Sequence, residues 1–242
     1  MKPFNNVVFA LVVLCSLFRP AHASDLQSLL EQGEALLNQT SGELDVETVA
    51  QGLKEALDKG SKKAVSIAGI KDGYLANPKI KIPLPDRAEK YGKRLKKLGL
   101  GKYVDQLETS INRAAEKAAP LATELFVGAI QSMSIEDAYD ILRGDDDSAT
   151  QYFQEKTRGD LTQAFYPSID DSLSDVGAIK AYDKLQKRAD KYGLGDKFDF
   201  DMSDYVTQKS LDGLFLLVAE EEKNIRENPT ARTTELLQQV FE

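Results

Sequence analysis

Apolar residues recur three or four positions apart through almost the whole chain after residue 24, and runs of alternating polarity are nearly absent. This spacing gathers apolar side chains on one face of an α-helix, whereas a half-buried strand needs strict alternation. The sequence therefore predicts an all-α protein, a multi-helix bundle of about nine helices. The run Leu214–Ala219 is predicted to lie at the centre of the bundle, because it leaves no polar face.

Local signals predict where several helices begin and end. Residues 102–133 read as one long helix, which Pro120 must kink or split, because proline lacks the backbone N–H that a helix interior uses. Ser134 and Asp137 resemble a capping box, with aspartate in place of the usual glutamate, and predict the start of another helix. A further helix is predicted to end at Pro167.

Residues 69–85, called the arm below, interrupt the helical pattern with two glycines and three prolines. Because proline fixes its own φ and pushes the preceding residue out of the helical region, we predict that the arm is extended. Ile80, Ile82 and Leu84 would then share one face. The favoured interpretation is an arm strapped across the helices, and the alternative is a strand edge or a lid that closes over a ligand.

The first 23 residues resemble a secretory signal peptide, with Lys2 as a short positive start and Val7–Phe18 as the apolar run. A helix of that run would cover roughly 18 Å, too little for a hydrocarbon core of about 30 Å. An A-x-A site predicts cleavage between Ala23 and Ser24. We therefore expect a periplasmic or secreted protein that is not transmembrane after cleavage.

The only cysteine, Cys15, and the only histidine, His22, both lie in this leader. Without thiol or imidazole, residues 24–242, predicted to form a single helical domain, can hold no disulfide, Ser/His/Asp triad or ordinary zinc, copper or haem site. We therefore predict no cofactor. A retained anchor and a lipoprotein acylated at Cys15 are the alternatives, and the second would keep both side chains.

An enzyme without histidine would have to use carboxylates, tyrosine, lysine or serine. No known catalytic motif organises such residues here. Glu220, Glu221 and Glu222 are predicted to lie on a helix surface, with Glu222 paired to Arg226 four residues later. We therefore predict that the protein is not an enzyme.

Asp145–Asp147 invites comparison with a calcium-binding loop. Such a loop needs a central glycine and a terminal glutamate, but Thr150 and Lys156 stand at those positions. Acidic residues before a helix are ordinary capping chemistry. No metal site is predicted.

Asn112, Arg113 and Glu116 are candidate ligand residues, because they lie in an alanine-rich segment where neighbouring helices approach closely. A structural hydrogen-bond network between helices is favoured over a ligand site at this position.

Residues 79–102 carry nine basic and two acidic side chains. Four of the basic residues fall three or four apart and form what we call the basic ridge: Arg87, Lys90, Arg94 and Lys97. The favoured interpretation is a solvated face that neutralises the protein's own acidic surface. The alternative is a docking ridge for an anionic lipid, an envelope polysaccharide or an acidic partner. Nucleic-acid binding is disfavoured, because the chain has a net charge of −8 and the ridge has few stacking aromatic residues.

Several long segments resemble a bacterial exported family known as domain of unknown function 4197. They are GLKEALDKG (52–60), NPKIKIPLP (77–85), NRAAEKAAP (112–120), DDDSATQYFQEKT (145–157), DYVTQKSLDGLF (204–215) and AEEEKNIRENPTART (219–233). The resemblance covers nearly all of the chain after the leader. It implies an exported helical protein, and it implies no reaction, cofactor or catalytic residue.

Three functions are compatible with these observations. The first is an exported, non-enzymatic binding module of the cell envelope that holds an apolar or lipid-like ligand. The second is a structural or interaction protein that docks onto an envelope assembly through the basic ridge. The third, ranked well below, is a carboxylate-dependent hydrolase.

Overall fold

The computed structural model of the protein describes residues 46–85, 96–175, 178–191, 193 and 201–228. These residues lie in helices, turns and loops of one compact unit, Val46–Glu242, and no β-strand is among them. The predicted all-α class is therefore confirmed. The number of nine helices stays a prediction, because it includes helices outside the described residues.

The described fold consists mainly of α-helices. In chain order they are α1 Val46–Gly69, α2 Gly101–Ala118, α3 Ala122–Ser132, α4 Ile135–Arg143, α5 Ser148–Asp175, α6 Ala178–Asp190 and α7 Met202–Glu227. The segment Lys96–Leu100, which precedes α2, is kinked at Gly99, whose φ of 78° is the left-handed conformation that favours glycine.

The core lies where α7 packs against α5 and α1. Three fully buried rings, one each from α3, α5 and α7, meet in this core, with the centroid of Phe126 lying 5.0 Å from that of Phe153 and 6.0 Å from that of Phe215. The run Leu214–Ala219 was predicted to be buried on every side, and most of it is. Leu216 is 42% exposed, because α7 turns one side toward solvent, and Ala219 at the end of the run is half-buried.

Two local predictions about helix ends are confirmed. The residues around Pro120 form a single 3₁₀ turn, Ala119–Leu121, which separates α2 from α3. The capping box is also present, since the Ser134 hydroxyl accepts a hydrogen bond from the Asp137 N–H at 3.0 Å. The Asp137 carboxylate accepts one from the Ser134 N–H at 2.9 Å. Such bonds begin a helix because they satisfy amides that lack a partner in the first turn.

The prediction that a helix ends at Pro167 is wrong, since α5 continues through this residue to Asp175. A proline in a helix interior costs about 3 kcal/mol. Ile169 and Leu173, both fully buried, follow Pro167 on the core-facing side of α5. Burial of two such side chains contributes roughly 3–6 kcal/mol, which is enough to offset the proline.

The arm is less extended than its prolines predicted. Residues 71–80 form turns, in which the Gly73 N–H donates to the carbonyl of Ile70 at 2.9 Å and the Lys81 N–H donates to that of Asn77 at 2.8 Å. Each proline restricts only itself and the residue just before it, so residues 71–76, which lie ahead of Asn77 and Pro78, are free to turn. Residues 81–85 do leave the turns.

The predicted apolar face of the arm is confirmed. Ile80, Ile82 and Leu84 are all buried, while Lys79, Lys81 and Pro83, which alternate with them, are exposed. The arm is therefore strapped across the helices, as the favoured interpretation had it.

Candidate functional site

Asn112 of α2 binds the backbone of the arm through both ends of its side-chain amide. Its Oδ1 accepts a hydrogen bond from the Ile82 N–H at 2.9 Å, and its Nδ2 donates to the Ile82 carbonyl at 2.8 Å. The same Nδ2 also donates to the carbonyl of Glu108 at 2.8 Å. Asn112 is fully buried, so it supplies partners for backbone groups that water cannot reach.

Glu116 lies one turn further along α2 and holds the preceding part of the arm. Its Oε1 accepts hydrogen bonds from the N–H groups of Tyr74 and Leu75, both at 3.1 Å. Its Oε2 accepts from Arg113 at 2.6 Å, and Arg113 also donates to Asp72 at 2.7 Å. The hydrogen bonds to Glu116 and Asp72 raise the pKa of Arg113 above its usual value.

The other side of the arm rests on α7. The Tyr74 hydroxyl donates to the Ser210 carbonyl at 2.6 Å, and burial raises the pKa of this tyrosine well above its usual value. Gly213 provides the space, because a Cβ at this position would lie 3.0 Å from both Ile80 and the Tyr74 ring. The arm is therefore held in a groove between α2 and α7.

The three candidate ligand residues thus lie together, and they build the fold. The network that the sequence favoured over a ligand site is present, but it joins a helix to the arm rather than two helices. Asn112 and Glu116 occur four residues apart, so they lie on the same side of α2 and face successive parts of the arm.

The sequence reasoning missed Glu222. This glutamate was predicted to lie on the surface, yet it is 7% exposed. It accepts hydrogen bonds at 2.9 Å from the N–H groups of Ala149 and Thr150 in the first turn of α5, and a third from the Thr150 hydroxyl. The predicted pair with Arg226 is present at 3.0 Å. Glu222 therefore caps α5 from a distant helix, at the end where a helix dipole favours negative charge.

Of the basic ridge, the described residues include only Lys97, which is exposed in the segment before α2. Arg87, Lys90 and Arg94 lie outside the described residues, as do the predicted cleavage residues Ala23 and Ser24. The ridge and the leader therefore stay predictions.

Two of the spaces beside α1 differ in size and chemistry. A void of about 10 Å³ lies between Leu53, Ala56 and Ile225, which is room for no more than one water molecule. An open groove of about 430 Å³ lies between α1 and α3. Its volume is in the range typical of ligand sites, and charged and amide side chains line its α1 side.

Within the described ranges, no cluster of three or more His, Cys, Asp or Glu side chains has the geometry to hold a metal ion. The helices of this part of the chain also include none that is both long and apolar enough to cross a lipid bilayer.

Replacing Asn112 with alanine should lower the free energy of unfolding by about 1–2 kcal/mol. The substitution leaves the buried N–H and carbonyl of Ile82 without partners, although alanine, the better helix former, offsets part of the loss. Urea unfolding followed by circular dichroism measures the change. Gln106→Ala, an exposed position in the same helix, is the matched control, and equal stability of the two variants would contradict the prediction.

Comparison with known proteins identifies the family of this chain but assigns it no activity. The model of a family described as "Protein of unknown function (DUF4197)" matches residues 43–242. No curated protein matches the chain, and neither does any solved structure. The match spans all of the helices described above, so the chain belongs to the DUF4197 family.

Proposed function

We propose that the protein is an exported, non-enzymatic binding module of the bacterial cell envelope. The signal-peptide pattern of residues 1–23 supports export, after which residues 24–242 would form a single domain of about nine helices. The non-enzymatic part of this proposal rests on one observation, namely that the two buried glutamates hold the fold together through their hydrogen bonds.

Buried carboxylates are the groups that an enzyme without histidine needs for proton transfer. Glu116 and Glu222 are the two that the structure shows buried, and each accepts hydrogen bonds from two backbone amides and an arginine. A carboxylate that moves protons would have to release these partners, and it would loosen the arm or the start of α5 each time. Both glutamates therefore serve the fold, which argues against the hydrolase.

The packing favours a partner on the surface over a lipid in the interior. The small residues that allowed close helix approach, among them Ala114, Ala115 and Ala118, are themselves 0–1% exposed and belong to the core. The void beside Leu53 is too small for an acyl chain, whereas the groove between α1 and α3 is open to a partner. The basic ridge is the second docking surface that we propose, and it would meet an anionic envelope component.

Native mass spectrometry of protein recovered from the periplasm tests this proposal. We expect a chain that begins at Ser24 and carries no bound lipid. One lipid molecule bound per protein molecule would instead support a binding module that holds an apolar ligand. A chain that keeps its leader would contradict cleavage after Ala23.

Photo-crosslinking in the same cells distinguishes the two surfaces. We would place a photoreactive residue at Lys97 in the ridge, at Gln131 in the groove, or at Gln151 on α5 as the control. A defined product from position 97 or 131, and none from 151, supports docking at that surface. Products of equal yield from all three positions would contradict a specific binding module.

A further inference from the structure

The groove between α1 and α3 has an arrangement of polar groups that suits one kind of ligand. Four side chains of α1 form one wall and three of α3 form the other. They are Gln51, Lys54, Glu55 and Asp58 on α1, with Val127, Ile130 and Gln131 on α3. The α1 residues follow each other at helical spacing and so make a single stripe along the groove.

Two glutamines face the groove from opposite helices. Gln51 and Gln131 are exposed, and neither side-chain amide forms a hydrogen bond within the described part of the chain. A primary amide offers both a donor and an acceptor, the same pair that a peptide backbone presents. In this protein Asn112 already binds a peptide backbone in that way, through Ile82.

The charges of the groove favour a basic side chain. Among the described residues, the carboxylates of Glu55 and Asp58 pair only with exposed lysines of the same helix, Lys59 at 3.0 Å and Lys62 at 2.8 Å. Such exposed pairs contribute little, about 0.3–0.5 kcal/mol, so an incoming guanidinium can replace them and bind a carboxylate with two hydrogen bonds.

The remaining groups suit a peptide better than a simple polyamine. The Lys54 ammonium donates to the Met133 carbonyl at 2.7 Å, and its other hydrogens, which bind no other described residue, can meet an acceptor on the ligand. A polyamine has no acceptor to offer, whereas a peptide has a carbonyl at every residue. Val127 and the mostly buried Ile130 supply the apolar contact that a neighbouring side chain needs.

The length of the stripe sets the length of the ligand. Gln51 and Asp58 are seven residues apart, which is about 10 Å along a helix. An extended chain covers about 3.3 Å per residue, so about three residues match the groove.

We propose that this groove binds an extended segment of about three residues, including one basic residue, of a partner protein. The inference rests on the proposed function, since it names the kind of partner that the binding module recognises. The glutamine amides pair with the segment's backbone, and Glu55 and Asp58 hold its basic side chain.

A titration followed by amide NMR tests the groove with defined probes. The protein, recovered from the periplasm of cells that express the full-length chain, is titrated with acetyl-Leu-Arg-Ala-amide and with acetyl-Leu-Glu-Ala-amide. We expect the arginine peptide to shift resonances of residues 51–58 and 127–131 in a saturable way, with a dissociation constant of about 1 mM or lower. The glutamate peptide should bind at least about tenfold more weakly.

Two variants at neighbouring positions separate groove binding from a general charge effect. Val127→Arg fills the groove and should weaken binding of the arginine peptide at least about tenfold. Gly128→Arg is the matched control, because a Cβ there meets nothing within 4 Å and Gly128 does not line the groove. Asp58→Lys should reverse the preference toward the glutamate peptide.

Binding that survives Val127→Arg, or the absence of saturable shifts at about 5 mM peptide, would overturn the proposal. Tighter binding of the same tripeptide with free ends would also overturn it, since the ligand would then be a free oligopeptide. If no peptide binds while position 97 crosslinks a partner, the groove assignment fails and the binding-module proposal stands.

Discussion

Replacing Glu222 with alanine should lower the free energy of unfolding by about 4 kcal/mol. The substitution removes the acceptor of two buried N–H groups, those of Ala149 and Thr150, and of the Thr150 hydroxyl. It also leaves Arg226 without its carboxylate in a site where the arginine side chain is only 14% exposed. Arg226 keeps its hydrogen bond to the Ile141 carbonyl at 2.8 Å, which limits the loss.

Thermal unfolding followed by circular dichroism should show a fall in the midpoint of about 10 °C for Glu222→Ala. Glu222→Gln keeps one acceptor oxygen and should lose about half as much free energy. The control is Glu227→Ala in the same helix, which removes only an exposed pair with Lys223 and should cost about 0.5 kcal/mol or less. A loss for Glu222→Ala no larger than that of the control would show that the cap does not stabilise α5.

Glu116→Ala should lower the free energy of unfolding by about 3 kcal/mol, less than Glu222→Ala. It leaves the N–H groups of Tyr74 and Leu75 without an acceptor. Arg113 loses one carboxylate but keeps Asp72, so the cost is smaller than at Glu222. The stability of Glu116→Gln should lie between that of the wild type and that of Glu116→Ala. Its one amide oxygen can still accept from both N–H groups that share Oε1.

Hydrogen exchange locates the effect of Glu116→Ala on the chain. We expect faster exchange at the amides of Tyr74 and Leu75, while the Ile82 amide, bound by Asn112, stays protected for longer. Asp105→Ala removes an exposed carboxylate of the same helix and is the control. Uniform loss of protection across the arm would mean that the arm opens as one unit and that Glu116 does not hold its own part separately.

Features that depend on a few neighbouring residues could be predicted from the sequence. The capping box needs only Ser134 and Asp137, and the break at Pro120 needs only the missing N–H. The alternation of Ile80 with exposed lysines likewise fixes which side of the arm faces the core.

Features set by a distant partner could not be predicted in this way. Nothing near Glu222 in the sequence shows that it meets the first turn of α5, because its partners lie 72 and 73 residues away. Pro167 gave the wrong helix end for the same reason, since the burial that carries α5 past it depends on other helices. Of the candidate site, the close packing around Asn112 and Glu116 was predictable, but the arm as their partner was not.

The way the arm is held has a consequence for how the protein folds. Its contacts with α2 span about 30 to 42 residues, but the bond from Tyr74 to Ser210 spans 136. Contacts between distant residues form late and slow folding relative to bundles built from local contacts. Because synthesis proceeds from the N-terminus, the arm can pack against α7 only when almost the whole chain has been synthesised. Until then Tyr74 and Ile80 remain uncovered, and a chain stopped before α7 would present them to its neighbours as an aggregation-prone surface.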